Sequence, residues 1–432
     1  MNLSFNHLID DFRALAQQFP DKRTGQNTIY RMEDVAIGAF SVFFTQSPSF
    51  LAHQTAMAET KGKNNAQALF GIQDIPTDNH IRDLLDAVPP QRVFPMFERV
   101  IAALDELGHL QAFHAVNDQL LIALDGTQYH SSNNIACDNC TVKHHKNGKT
   151  SYSHTVVTPV IVSPTQKRIL PLAPEFITPQ DGHQKQDCET AAAKRWIDHY
   201  GEHYRARQVT LLGDDLYSRQ PLCEHAIAAG LNFIFVCKPQ SHSTLTEWLD
   251  GLNVETLTIV RRKDKRRKTD TYRFAQQLPI RDGEGVLKVN WCELTTTDPD
   301  GKVLYHNAFI SNHVISADNV VDMVLAGRAR WKVENENNNT LKTQGYHLTH
   351  NFGHGKHHLS TLLASLNLLA FLFHSVLDMM DTKYQLIRAK LPSRKTFFQH
   401  IQALTCYLCF DDFDALLDFM MKGLEIDYMD SG

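Results

Sequence analysis

Two short apolar runs, each closed by an aspartate, constrain this chain more than any other feature. Leu120-Leu121-Ile122-Ala123-Leu124 ends at Asp125, and Val209-Thr210-Leu211-Leu212-Gly213 ends at Asp214. Apolar runs of this length between turn residues predict buried strands. Thr155 to Val162, Arg168 to Leu172 and Asn232 to Cys237 also read as strands. Asp187 to Tyr204 and residues 219–229 read as helices, the second closed by Gly230. The resulting order, strand–strand–strand–helix–strand–helix–strand, predicts a mixed α/β sheet with acids at strand ends. A polar loop running through Lys149 follows the first strand.

At 432 residues the chain is too long for one ordinary core. Residues 1–115 read as a helical region. Phe5, Leu8, Ile9, Phe12 and Leu15 recur at helical spacing, and Pro48, Pro76, Pro89 and Pro90 divide the rest. Residues 116–350 form the α/β core, with a β-rich insertion over about 240–315 that carries turn signals at Asp282-Gly283 and Asp300-Gly301. Residues 351–432 read as a C-terminal helical region. Within it, Leu359 to Leu377 carries no Asp, Glu, Lys or Arg. Its Ser, Thr, Asn and His content and its lack of aromatic and basic anchors predict a helix buried in protein rather than a membrane span. No basic and apolar leader opens the chain, and its eight cysteines are mostly isolated in apolar runs. Both observations point to a reducing, cytoplasmic setting.

The candidate chemistry needs a third acid. Arg330-Trp331-Lys332-Val333-Glu334-Asn335-Glu336 is a charged helical segment late in the chain. Two strand-end aspartates with an acid on a late helix are the layout of an RNase H-like, metal-dependent phosphoryl-transfer site. Such sites use carboxylates to hold two Mg²⁺ ions about 4 Å apart, and Mn²⁺ can replace Mg²⁺. Asp214 is preferred over its neighbour Asp215 because it directly ends the strand, giving the pattern Asp-x-x-Tyr with Tyr217. On a regular helix Glu334 and Glu336 lie about 200° apart, so only one can face the site. Arg330, one turn earlier, selects Glu334 and leaves Glu336 to solvent. An isolated aspartate before a glycine or a helix is ordinarily a turn or cap residue, so the inference rests on all three acids together.

These residues resemble the IS4-like family of bacterial DDE transposases, which carry a β insertion before the catalytic glutamate. The resemblance runs from about Ser49 to Ser365. It is strongest at Leu124-Asp125-Gly126-Thr127, at Leu212-Gly213-Asp214-Asp215-Leu216-Tyr217 and at Arg330 to Glu336, and continues through Leu341-Lys342-Thr343-Gln344-Gly345-Tyr346. Arg330 and Glu334 fit the signature Tyr-x2-Arg-x3-Glu-x6-Lys. Gly327 stands at its tyrosine position, and the lysine, Lys342, comes one residue late. The resemblance implies that Asp125, Asp214 and Glu334 are catalytic metal ligands and that Arg330 and Lys342 contact transposon-end phosphates. It further implies nicking at the element's ends, release of the element and strand transfer of a 3′-hydroxyl into target DNA. The implied partners are double-stranded DNA, as terminal inverted repeats and target, and a second copy of the chain. The implied setting is the bacterial nucleoid. A non-catalytic DNA-binding remnant, or an RNase H-like nuclease without strand transfer, are the competing readings.

Other stretches bear on partners. The net charge of −5 argues mildly against nucleic acid. Against that, Arg261, Arg262, Lys263, Lys265, Arg266, Arg267 and Lys268 form a local basic block that is either a solvated loop or a DNA-backbone contact. Trp331 either packs under the sheet, the commoner role, or stacks on an extruded base. Cys137 and Cys140, with His144 and His154, have zinc-like spacing inside the polar loop, although the second half of a standard finger is missing. His347, His350, His354, His357 and His358 cluster around Gly353 and Gly355, where contact with DNA is a simpler expectation than a metal. Asp187 is expected to cap the helix that follows it.

Overall fold

A computed structural model describes residues 3–25, 28–179, 187–263 and 266–427. The chain begins with six helices: α1 (Phe5–Ala16), α2 (Met32–Phe44), α3 (Phe50–Ala58), α4 (Thr60–Phe70), α5 (Asp78–Leu85) and α6 (Phe94–Glu106). The central part holds β1 (Leu120–Ala123), β2 (Gly126–Ser132), β3 (Thr141–His144), β4 (Thr150–Val157), β5 (Val160–Val162), β6 (Leu170–Pro171) and β7 (Glu175–Ile177). It continues with α7 (Glu189–Arg205), β8 (Val209–Gly213), α8 (Gln220–Ala228), β9 (Asn232–Val236) and α9 (Ser243–Asp250). Four long strands follow: β10 (Glu255–Lys263), β11 (Arg266–Pro279), β12 (Lys288–Thr297) and β13 (Val303–Ser311). The chain closes with α10 (Val320–Ala329), a π-helical turn (Val333–Asn338), α11 (Asn339–Thr343), α12 (Leu359–Met380), α13 (Thr382–Lys390), α14 (Arg394–Tyr407) and α15 (Phe413–Gly423).

The result is a mixed α/β molecule. One nine-stranded sheet runs β10-β11-β12-β13-β9-β8-β1-β5-β6. β1, β8 and β9 are parallel neighbours, while β5 and β6 continue antiparallel on one side and β13 to β10 on the other. β1, β8 and β9 are buried almost throughout, as expected of parallel strands covered on both faces.

Three local expectations are corrected. The polar loop after Asp125 is a second sheet, in which β4 pairs with β2 on one edge and with β3 and β7 on the other. The run Thr155 to Val162 is two strands, broken at Thr158-Pro159 where the chain crosses from the small sheet to the large one. The basic block is neither loop nor insertion apart from the core: its described residues lie on β10 and β11, the outer hairpin of the same large sheet. Thr256 to Val260, strand-like in sequence, lies on β10, where half-buried Leu257 and Ile259 alternate with exposed Thr256 and Thr258.

The helices from the two ends of the chain pack together. α2 is apolar on nearly every side and buried from Asp34 to Phe44, which a helix tolerates only inside protein. It packs against α12, with the rings of Phe40 and Phe373 5.2 Å apart, and Phe5 of α1 meets Phe413 of α15 at 4.3 Å. α12 is long and apolar enough to cross a membrane, but 94% of its most hydrophobic window is buried in the protein.

Candidate active site

The register of the parallel pair sets the site. Leu120 faces Val209 and Ala123 faces Leu212, so Asp125 and Asp214, two residues further on each, leave the sheet side by side. Leu124 N–H still bonds Leu212 O at 2.9 Å, which holds the strands together up to the acids. The choice between Asp214 and Asp215 follows from their bonds. The Asp215 carboxylate accepts from Lys238 N–H at 2.7 Å and from the Ser241 hydroxyl, which ties down the loop after β9. Asp214 accepts only a local bond from Leu216 N–H at 2.8 Å, and it lies close enough to Asp125 to act on its ionisation.

Glu334 arrives from the other side of the site. It sits on the π-helical turn, not on the regular helix expected, and such turns interrupt helices mostly at functional positions. The Asn-rich stretch holds this geometry through side chains: Asn338 Nδ2 donates to Asp125 Oδ2 at 2.9 Å and its Oδ1 accepts from Thr158 Oγ1 at 2.9 Å. Arg330 Nη1 donates to Glu334 Oε1 at 2.6 Å. Glu336 is half-buried near Lys332 rather than solvated, and Lys332 Nζ is buried against the carbonyls of Ser163 and Gln166.

Glu189, which the sequence reading left to a helix start, is a fourth acid here. Its Oε1 accepts from Gly126 N–H at 3.0 Å and from the Tyr217 hydroxyl at 2.8 Å, so it joins the residue after Asp125 to the end of the Asp-x-x-Tyr pattern. Asp187 is no helix cap. Cys188 occupies that position, and Asp187 binds the Arg195 guanidinium at 2.7 and 3.0 Å. Residues 181–186 before it, Asp181 included, lie outside the described residues.

Converging acids raise the cost of charge. The Asp125 carboxyl is pushed up to about 7, first by burial, then by Glu189 and Glu334, with Arg330 opposing and Asp214 adding a smaller push. Asp125 thus has three acids and the Arg330 guanidinium within electrostatic reach, and carboxylate oxygens are the hard ligands that Mg²⁺ or Mn²⁺ takes.

The remaining candidates are spread over the molecule. Trp331 is exposed, not packed beneath the sheet. Lys342 is half-buried on α11. At the position the family motif gives to tyrosine, Gly327 lies so close to β13 and β9 that a Cβ would come within 2.7 Å of the Phe309 ring. No aromatic side chain fits there. Arg261, Arg262 and Arg267 are exposed at the β10–β11 hairpin, and Arg261 pairs with the buried Asp270. Lys265 lies outside the described residues, as does the side chain of Arg266.

Strand register places this hairpin relative to the acids. Val236 is level with Phe309, Phe309 with Cys292, Cys292 with Phe274 and Phe274 with Glu255. From that level β10 continues to Arg262, about 23 Å past the acid-bearing strand ends and on the same edge of the sheet.

Among the candidate zinc ligands, Cys137, Cys140 and His154 come together, but His144 does not join them. It stays exposed at the end of β3, where its Nδ1 meets Thr150 Oγ1 across the strand pair at 3.1 Å. His354, expected at a DNA surface, is buried and takes the fourth place. A scan of protein-family models and a search of curated proteins found no match to this chain.

Proposed function

We propose that this chain is a DDE transposase with an RNase H-like core, cutting and joining DNA with Asp125, Asp214 and Glu334 as Mg²⁺ ligands. The observation that carries the reading is the convergence of two aspartates at adjacent parallel strand ends with a glutamate from a helix far along the chain. The strand order β6-β5-β1-β8-β9, with β5 antiparallel to β1 and β6, β8 and β9 all running parallel to it, supports the RNase H-like reading. When bound, the two ions would activate the attacking oxygen and stabilise the leaving oxygen. The protein's own part is to orient. Asn338 holds the Asp125 carboxylate, Glu189 braces the turn after it, and Arg330 holds Glu334 while offering its remaining donors to a phosphate.

DNA would lie along the acid edge of the sheet, with Arg330 and Trp331 near the cut and the hairpin arginines further along the duplex. Lys342, half-buried like Arg330, is a second phosphate contact. A cytoplasmic, nucleoid-associated protein acting as a dimer on two element ends completes the proposal.

The test is cleavage of a linear duplex bearing the element's own end, in Mg²⁺, by wild type and by Asp125→Ala, Asp214→Ala and Glu334→Ala. Nicking at the boundary by wild type alone, with all three variants still binding DNA, supports the reading. Binding without cleavage in Mg²⁺ or Mn²⁺ favours a DNA-binding remnant. Cleavage without joining favours a nuclease.

A further inference from the structure

The small sheet and the segment after Glu334 meet at four side chains that neither catalysis nor DNA binding uses. Cys137 and Cys140 stand on a tight turn between β2 and β3, in which Cys140 N–H bonds Cys137 O at 3.1 Å and Cys137 N–H points at Cys140 Sγ at 3.4 Å. His154 comes from β4 and His354 from the loop ahead of α12. The two sulfurs are 3.8 Å apart, too far for a disulfide at about 2.05 Å. His154 Nε2 lies 3.4 Å from Cys137 Sγ and 3.5 Å from Cys140 Sγ, and His354 Nε2 lies 3.5 Å from Cys140 Sγ. All four ligand atoms fall within 4.8 Å of one another.

Four of the six separations match the edges of a tetrahedron around an ion, and the other two are within 4.8 Å. With Zn–S of about 2.3 Å and Zn–N of about 2.05 Å, tetrahedral geometry requires S···S of about 3.8 Å and S···N of about 3.6 Å. Hydrogen bonding does not account for the arrangement, because one imidazole nitrogen pairs with one thiol, whereas two sulfurs converge on His154 Nε2. Two thiolates and two imidazoles in a closed tetrahedron are a structural zinc set.

The surroundings hold the ligands in place. The Asp86 carboxylate accepts from the N–H groups of Lys356, His357, His358 and Leu359 at 3.0 to 3.1 Å, and so fixes the chain that delivers His354. Gly355 takes a left-handed φ of 67° there, and a Cβ would fall 2.2 Å from the Asp86 carboxylate. Asn139, between the two cysteines, donates to His357 O. Tyr129 stacks on the His154 ring at 5.5 Å, and His130 packs on His354 at 4.5 Å.

We propose that Cys137, Cys140, His154 and His354 bind one structural Zn²⁺ that staples the small sheet to the segment joining the Glu334 turn to α12. The small sheet begins directly after Asp125, so the ion links the two stretches that carry candidate catalytic acids. The site does not depend on the transposase reading, since it rests only on these four side chains.

The test is metal analysis of the untagged full chain by plasma mass spectrometry after gel filtration. One zinc per chain is expected, released together with two thiols on titration with a mercurial. Cys137→Ser/Cys140→Ser should lose the ion, His354→Ala should yield it to a chelator at least tenfold more readily, and His144→Ala should keep it. Less than a tenth of an equivalent in zinc-loaded wild type overturns the proposal, as does zinc retained in full by the cysteine double variant. Cobalt loading of wild type keeps the test independent of variant folding. Tetrahedral ligand-field bands with sulfur-to-cobalt charge transfer are expected, and octahedral bands, or none, overturn the assignment.

Discussion

At the scale of single residues, Asp125 is the most informative group. Its ordinary pKa would leave it fully ionised at neutral pH, whereas burial and its acid neighbours push it up to about 7. The folded protein therefore binds a proton more tightly than the unfolded chain. That contribution to stability is full below about pH 4 and is lost as pH rises through 7. Asp125→Asn removes the charge yet keeps an acceptor for Asn338. In a chelator, the stability gained by the variant over wild type should be larger at pH 8 than at pH 5 by on the order of 2 kcal/mol. Mg²⁺ should close the gap by stabilising wild type alone. Melting curves at the two pH values check this, and a gap that is the same at both would show that the carboxylate carries no such penalty.

At the scale of elements, the β10–β11 hairpin and the π turn do different work. The hairpin is an edge of the large sheet, and a row of positive side chains protects such an edge from pairing with other chains. The same charges can neutralise phosphates. Arg262 and Arg267 face one another in register and are exposed, while Arg261 is committed to Asp270. Arg262→Ala/Arg267→Ala should reduce the slope of log affinity against log salt by about 2, with the melting temperature unchanged. Filter binding across a salt series reads the slope, and an unaltered slope would assign the hairpin to edge protection only. The π turn shows why a helical reading of Arg330 to Glu336 is incomplete. Arg330 holds Glu334 at ordinary i,i+4 spacing, and Asn338 at the end of the turn reaches Asp125.

At the scale of the whole molecule, buried imidazoles couple the layers and set acid stability. His53 bridges α2 and α3 through Ser41 and Ser47, each at 2.9 Å. His313 joins the strand β8 at Thr210, 2.8 Å away, to Asn117 at 3.1 Å. Burial pulls both down to about 4, against 6.5 for a free imidazole. Here the unfolded chain binds the extra protons. Stability is therefore present above pH 6.5 and lost as pH falls toward 4, by on the order of 3 kcal/mol for each ring. Denaturant unfolding between pH 7 and pH 4 should show that loss, and His53→Gln should make it smaller. An equal loss in the variant would place the acid sensitivity elsewhere.

Local pattern determined a good deal of this protein. The two apolar runs at Asp125 and Asp214, the helices between them and the buried character of α12 all follow from short-range periodicity, because a strand or helix needs only its own residues to declare which face is apolar. Glu334, singled out through a motif spanning five residues, lies within electrostatic reach of Asp125. Tertiary structure alone decided what surrounds them. Glu189 meets Gly126 across 63 positions, Asn338 reaches Asp125 across 213, and His354 replaces His144 beside Cys140 across 214. His144 stood closer in the chain, but it lies exposed at the end of β3, bonded to Thr150 across the strand pair. Contacts over such separations leave no period in the sequence, and they appear only when the sheet brings distant strand ends together.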